Sequence, residues 1–282
     1  MKHSGFYNRL VHSEIILRRS YTNEEDGRTG EKQMDQVGKG NTATIFRQDD
    51  KVIKVFHERF GEGEAFNEAR KQRFAFESGL PVPEVKEVTK IDGRQAIVME
   101  YIEGTTLGDN LEKDMNYAEY YLRQSIAVQM EIHKIDAIDL NPMPSKLARQ
   151  ISAAPKLNRN QKEALLEKLA SMDMEKKLCH GDFHIYNLME GGGRVTILDW
   201  VDASGGNPRA DVYRTYLLYS QHYPSLADDY VKIYCEESGV PLEEIFDWAP
   251  IIAGARLAEQ VDTEDPDRLL EIVDCYVTGN QC

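Results

Sequence analysis

The strongest constraint on the fold is a single change of texture near Gly104. Before it the hydrophobic pattern has the spacing of strands around one helix; after it the spacing is helical. Thr42, Thr44, Ile45 and Phe46 form one predicted strand, QDD supplies a turn, and KVIKVF over 51–56 is a second strand, so the segment reads as a hairpin with glycines at its entrance. GEAFNEARKQRFAFESGL carries Ala65, Phe66, Ala69 and Phe76 at roughly helical spacing and stops at Gly79 ahead of PVP. Two more strands follow, around EVKEVTKI and RQAIVMEYI, separated by a turn at Asp92 and Gly93. This order describes a small antiparallel sheet with one helix packed on it. Beyond Gly104, Leu122, Ile126, Met130 and Ile135 fall near one helical face, and LARQISAAPKL and QKEALLEKLASM are further amphipathic helices. A short strand (KLCH), a polar loop and a hairpin (NLMEGGGRVTILDW) interrupt them, and four helical patterns run from Pro208 to the end. The expected class is α+β, with an extension over 1–33, a sheet lobe over 34–103 and a mainly helical lobe over 104–282.

Strand alternation in KVIKVF sets Lys54 on one face with Val52 and Phe56, and Ile53 and Val55 on the other. An ammonium flanked by apolar groups needs a counter-charge, and Glu68, between Phe66 and Ala69 in the following helix, is placed to supply it. A Lys held in this way suits phosphate oxygens; the alternative is a surface Lys beside a solvated Glu. GKGNTA, with Gly38 and Gly40, matches a dinucleotide pattern, but a β-branched strand follows it instead of a helix. It reads better as a glycine-rich hairpin closing over the phosphates of a nucleotide.

The stretch CHGDFHIYNLM, followed by ILDWVDA, decides between classes of chemistry. Phosphoryl transfer needs a carboxylate to orient the attacking hydroxyl and oxygen ligands for the magnesium on the nucleotide. Asp182 follows the end of a strand as the base, Asn187 offers a neutral amide oxygen to the metal, and Asp199, ending the strand TILD, offers a charged one. A metal set of His180, Asp182 and His184 is the rival, but no GNH-type motif accompanies it.

Residues from about Met34 onward resemble the aminoglycoside phosphotransferase family, kinase-like small-molecule kinases related to choline and homoserine kinases. The resemblance rests on HGDxxxxN, on the I/L-D-W pattern and on the order of the earlier signals. It implies a two-lobed protein-kinase-like fold that binds ATP, or GTP, with magnesium. Lys54 and Glu68 would then be the phosphate-holding pair, and the backbone from Glu100 to Ile102, in VMEYIEG, would take the adenine. Asp182 would be the catalytic base, Asn187 and Asp199 the magnesium ligands, His180 an organiser of the loop and Asp211, in GGNPRAD, a brace for it. Two departures stand out: NTAT lacks a third glycine, and HIY replaces the His-Pro-Gly common in relatives.

Composition bears mainly on partners. The formal charge is −14, which argues against nucleic acid. The stretch from Trp200 onward holds 16 acidic and 5 basic residues; most of this is a solvated surface, but Asp202, Glu259, Asp262, Glu264 and Asp265 are candidate contacts for a cationic acceptor. With the resemblance, this points to a small hydroxylated, amine-bearing acceptor such as an aminoglycoside, or a metabolic amino alcohol, sugar or nucleoside. No apolar run is long enough to span a membrane, and the start has no cleavage-site pattern, so a cytoplasmic enzyme is expected. The four cysteines have no CxxC pairing and read as reduced thiols. The alternatives are a kinase-fold nucleotide-binding regulator without turnover, and a protein kinase, which the HGD loop and the absence of an APE-like segment disfavour.

Overall fold

The computed structural model describes residues 34–40, 42–261 and 263–279. The expected extension over 1–33 lies outside them. The chain divides into two compact units, one of 34–105 with Met189–Val201 and one of Thr106–Leu188 with 202–279.

In the first unit, five strands form an antiparallel sheet: β1 (Asp35–Lys39), β2 (Ala43–Gln48), β3 (Lys51–Phe56), β4 (Val85–Ile91) and β5 (Arg94–Glu100), in the order β1-β2-β3-β5-β4. The strand β1 is an addition to the expected hairpin. Its pairing with β2 slips between Gln36 and Gly38, the irregularity that breaks its period-2 pattern. Asp92 and Gly93 close the β4–β5 hairpin with φ of 50° and 78°, the left-handed geometry a two-residue hairpin turn needs. Alternation along β3 sends Val52 and Phe56 into one cluster with Ile45, Ile97 and Met99, and Ile53 and Val55 into a second with Ala96.

The helix α1 (Glu64–Glu77) covers the first of these faces. Its buried line is Ala65, Glu68, Ala69, Gln72 and Ala75, whereas Phe66 and Phe76 are 59% and 43% exposed. The expected apolar face is thereby corrected: small side chains let the helix lie close to the sheet, and the phenylalanines stay outside. Gln72 Nε2 donates to Pro83 O at 2.7 Å and fixes the helix against the chain leading into β4. The hairpin of β8 (Leu188–Gly191) and β9 (Arg194–Ile197), which also pairs with β6 (Thr105–Thr106), is tied to this unit by Ile197 N–H donating to Pro81 O at 2.8 Å.

The second unit is mainly helical: α2 (Leu107–Lys113), α3 (Ala118–His133), α4 (Met143–Ala153), α5 (Arg159–Ser171), α6 (Pro208–Ser220), α7 (Pro224–Ser238), α8 (Leu242–Phe246), α9 (Ala249–Arg256) and α10 (Pro266–Thr278). Thr106 caps α2, and Asn158 with Gln161 forms a capping box on α5. Among the described residues, five helices, not the expected four, run from Pro208 on, because Pro241 caps the short α8 and Pro250, in the first turn of α9, opens a separate helix. The strands β7 (Lys177–Cys179) and β10 (Ser204–Gly206) pair antiparallel and carry the chain into and out of the polar loop region. The core includes Leu122, Ile126, Phe183, Tyr219, Tyr230 and Trp248. The α+β class read from the sequence is therefore the class observed. Cys179 and Cys235 are free thiols as expected, but Cys275 is disulfide-bonded. Among the described residues, no helix is long and apolar enough to cross a membrane.

Candidate active site

In the first unit, β3 and α1 bring the expected pair together. Lys54 Nζ donates to Glu68 Oε1 at 2.7 Å and also to Asp199 Oδ1 at 3.1 Å, with the three side chains 4%, 1% and 3% exposed. The contact with Asp199 was not foreseen. Burial alone would lower the Lys54 pKa, but the charges of Asp199 and Glu68 outweigh it and hold the group protonated. Burial, aided by the Asp199 charge, pushes the Glu68 carboxyl up despite Lys54. The two carboxylates share the Lys54 ammonium, the charge of Lys71 also acts on Glu68, and Glu68 Oε2 has no hydrogen-bond partner. Hard oxygen donors of this kind suit a divalent cation. Asp199 has φ of 58°, a left-handed conformation that non-glycine residues rarely adopt and that clusters at functional sites.

Gly38 lies within β1, and Gly40 N–H donates to Ala43 O at 2.9 Å, so the glycines do sit in a strand–turn–strand segment. Asn41 of the same turn is outside the described residues. In the connector, the Glu100 and Tyr101 amides are taken by Glu84 O and Asp50 O, both at 3.0 Å. Of the three residues expected to meet a base, Ile102 is the one whose amide the sheet does not engage among the described residues.

In the second unit, Asp211 organises the loop after β7. Its carboxylate accepts from Gly181 N at 2.7 Å and His180 N at 3.2 Å, and His133 Nε2 lies 3.0 Å away. Those contacts, with the charges of the two histidines, hold the Asp211 carboxyl below its ordinary range although burial works the other way. The bracing role expected for Asp211 thus has a geometric basis. Gly181 has φ of 83°, and a Cβ there would fall 2.5 Å from Asp202 O, so glycine is required twice over. Thr215 donates to Phe183 O at 2.9 Å, and Ile185 N–H donates to the Tyr219 hydroxyl at 3.0 Å, so three residues of α6 pin the loop.

The Asp182 side chain is 13% exposed. Burial would raise its pKa, but His184, Arg214 and Arg256 outweigh it and hold the carboxyl well below the usual range. The Asp182 amide faces His180 Nδ1 at 3.3 Å, consistent with His180 organising the loop. Asn187 Nδ2 donates to Asp182 O at 2.9 Å, which pins the amide nitrogen and leaves Oδ1 as the atom a metal would take.

The candidate acceptor contacts are already engaged. Asp202 Oδ1 takes Lys146 Nζ at 2.5 Å, and Lys146 with Arg214 keeps its carboxyl low against burial and Asp182. Glu259 takes Arg214 Nη2 at 2.8 Å and also Arg256; Glu264 takes Arg256 Nε at 3.0 Å and Arg268 Nη2 at 2.8 Å. Asp265 caps α10 through Asp267 N–H at 3.0 Å. Asp262 lies outside the described residues. A small cleft adjoins this set, lined in part by Lys146, Gly181, Ser204, Arg214 and Glu259. Lys146, Arg214 and Arg256 were not singled out in the sequence. The signals for them were the i,i+3 spacings of Arg214 from Asp211 and of Arg256 from Glu259.

Residues 34–251 match the profile of the phosphotransferase enzyme family, APH. No curated protein matches the chain. Among solved structures, aminoglycoside phosphotransferase APH(4)-Ia superposes with a TM-score of 0.65 at 16% identity, over 89% of this chain and 94% of that one. Choline kinase LicA from Streptococcus pneumoniae gives 0.60 at 17% identity, over 88% and 93%. Amicoumacin kinase hAmiN, solved with AMP-PNP, Ca2+ and Ami, gives 0.60 at 12% identity, over 88% of each chain. The fold is therefore kinase-like, and with more than two thirds of its length inside the family profile, the chain belongs to the phosphotransferase enzyme family.

Proposed function

We propose that the protein is a small-molecule kinase that moves the terminal phosphoryl group of ATP, or GTP, to a hydroxyl of its acceptor. The observation that carries the reading is the loop of His180–Asn187. It is fixed by Asp211 and presents at Asp182 a carboxylate that is ionised at neutral pH and still reachable by solvent. In this reading Lys54, set by Glu68, holds phosphate oxygens, and Ile102 with the carbonyl of Glu100 meets the base. Asn187 and Asp199 are the residues we assign to magnesium, which supplies charge neutralisation on the phosphates when bound. A carboxylate held this low is a weak base, so Asp182 acts first by orienting the acceptor hydroxyl and takes its proton late, as a loose transition state allows. Lys54 offsets the charge that develops on the transferred group.

ATP as donor, magnesium as metal and a cytoplasmic location belong to this proposal, as does the division into an extension, a sheet lobe and a helical lobe. The test is magnesium-ATP turnover by the purified chain over a panel of hydroxylated acceptors, with Asp182→Asn as the blank. Acceptor-dependent ADP formation absent from the blank supports the reading. ATP binding with no acceptor-dependent turnover favours a nucleotide-binding regulator.

A further inference from the structure

We propose that the acceptor carries an oxyanion, a carboxylate or phosphate, beside the hydroxyl that is phosphorylated, and that Arg214 and Lys146 receive it. This rests on the kinase reading for the role of the cleft and narrows its substrate class. The first ground is the state of the carboxylates around the cleft. Asp202 is bound by Lys146, Glu259 by two arginines, and Asp211 by two backbone amides and His133. A polyamine entering here would have to displace Lys146 at Asp202, the arginines at Glu259, and the amide and imidazole donors at Asp211. The amine-bearing acceptor suggested by the acidic tail therefore finds no open partner among these residues.

The second ground is the cations. The Arg214 side chain is 7% exposed and lines the cleft, and its Nε is buried without a hydrogen-bond partner. A buried guanidinium N–H left unmatched is costly unless an oxygen arrives to accept it. Lys146, with a quarter of its side chain exposed, lines the same cleft. The chain also demonstrates the chemistry itself: the Glu259 carboxylate, at the more exposed edge, is held jointly by Arg214 and Arg256. An acceptor oxyanion would compete with Glu259 for Arg214, and guanidinium binds carboxylate and phosphate alike through paired N–H donors.

Binding of D-glycerate and glycerol 3-phosphate to the full chain, measured by calorimetric titration with glycerol and kanamycin as neutral and polycationic controls, tests this. Saturable binding of at least one oxyanion and of neither control is expected; which one binds separates carboxylate from phosphate. Glu259→Gln, which frees the guanidinium, should tighten that binding about tenfold, and Lys146→Gln should weaken it about tenfold. Arg214→Gln should abolish it; if that variant fails to fold, the other two carry the test. Binding of neither oxyanion, equal binding of kanamycin or glycerol, or an unchanged or weaker affinity in Glu259→Gln would overturn the proposal. The titration needs no nucleotide and is repeated in Asp182→Asn, which leaves the cations intact. Oxyanion binding without ADP formation under magnesium-ATP therefore counts against the kinase reading alone, whereas ADP formation with kanamycin and with no oxyanion counts against the acceptor assignment alone.

Discussion

Lys54→Met removes the ammonium while keeping most of the stem, and leaves Glu68 and Asp199 buried with no cation between them. At an effective dielectric of about 20, the contacts at 2.7 Å and 3.1 Å are worth about 6 and about 5 kcal/mol of attraction. Most of that offsets the cost of taking three ions out of water, so the net loss expected is that of breaking a buried pair, about 3–5 kcal/mol. For a chain of this size the melting temperature should fall by about 6–20 °C. The pH dependence follows from the direction of the shifts. Without Lys54 the two carboxylates take up protons more readily folded than unfolded, so their folded pKa values lie above the unfolded ones. Such groups penalise the folded state fully at high pH, and the penalty disappears as pH falls below the unfolded value of about 4. The gap between variant and wild type should therefore be widest near pH 7 and clearly smaller near pH 5, as followed by thermal unfolding at both values. Adding Glu68→Gln to Lys54→Met should restore part of the loss, because it removes the repulsion between the carboxylates. A deficit under about 1 kcal/mol, or one that does not change with pH, would refute the reasoning.

Asp182→Asn should lower acceptor-dependent turnover by about 10²–10⁴ and leave nucleotide affinity intact, as steady-state rates and equilibrium nucleotide binding will show. Asp211→Asn places an amide N–H₂ group against backbone donors that now meet a carboxylate, so it should cost about 1.5–3 kcal/mol for each charge-assisted bond lost, read from the urea midpoint. Gly181→Ala combines a left-handed φ with a clash on Asp202 O and should lower both stability, by about 1–3 kcal/mol, and turnover. The depressed carboxyls of Asp182, Asp202 and Asp211 contribute stability that is complete above the unfolded carboxylate pKa. Acid unfolding followed by circular dichroism should therefore begin as pH falls through about 4, and Lys146→Gln should reduce the Asp202 share of it.

The parts of this structure legible in the sequence are those set by short-range periodicity. Alternation along KVIKVF gave the correct face for Lys54, and the helix beginning near Glu64 was found together with Glu68 on its inner side. The same helix also shows the limit. Phe66 and Phe76 dominate any hydrophobicity count, yet the sheet accepts only the alanine line. Strand β1 was missed because its slip in register removes the alternation that identifies a strand. The loop motif pointed to Asp182 and Asn187, which lie five residues apart, and the separate GGNPRAD segment pointed to Asp211. The pairing of Asp202 with Lys146 spans 56 residues, and that of Glu259 with Arg214 spans 45. Only Arg256 beside Glu259 and Arg268 beside Glu264 carry a local mark, three and four residues apart. Without the distant partners, an acidic tail looked like a surface waiting for a cation when its inner members were already paired.

On the proposed kinase reading, that pairing connects recognition of the acceptor with the positioning of Asp182 as the base. Helix α6 carries Asp211, which fixes the loop backbone through two amides, and Arg214 one turn later on the same helix. It also carries Thr215 and Tyr219, which hold Phe183 and Ile185 on either side of His184. Nine of the thirteen residues of this helix are buried, so it cannot rotate or slide without disturbing the core of its unit. The distance from Asp182 to the Arg214 guanidinium is thus set by one rigid element and not by two that move separately. An acceptor held at both points, as proposed, would have its hydroxyl placed by the span between anion and hydroxyl, and one with a different span would bind without reacting. Selectivity of this kind acts on turnover more than on affinity, because the mismatch is felt where the hydroxyl must meet the base.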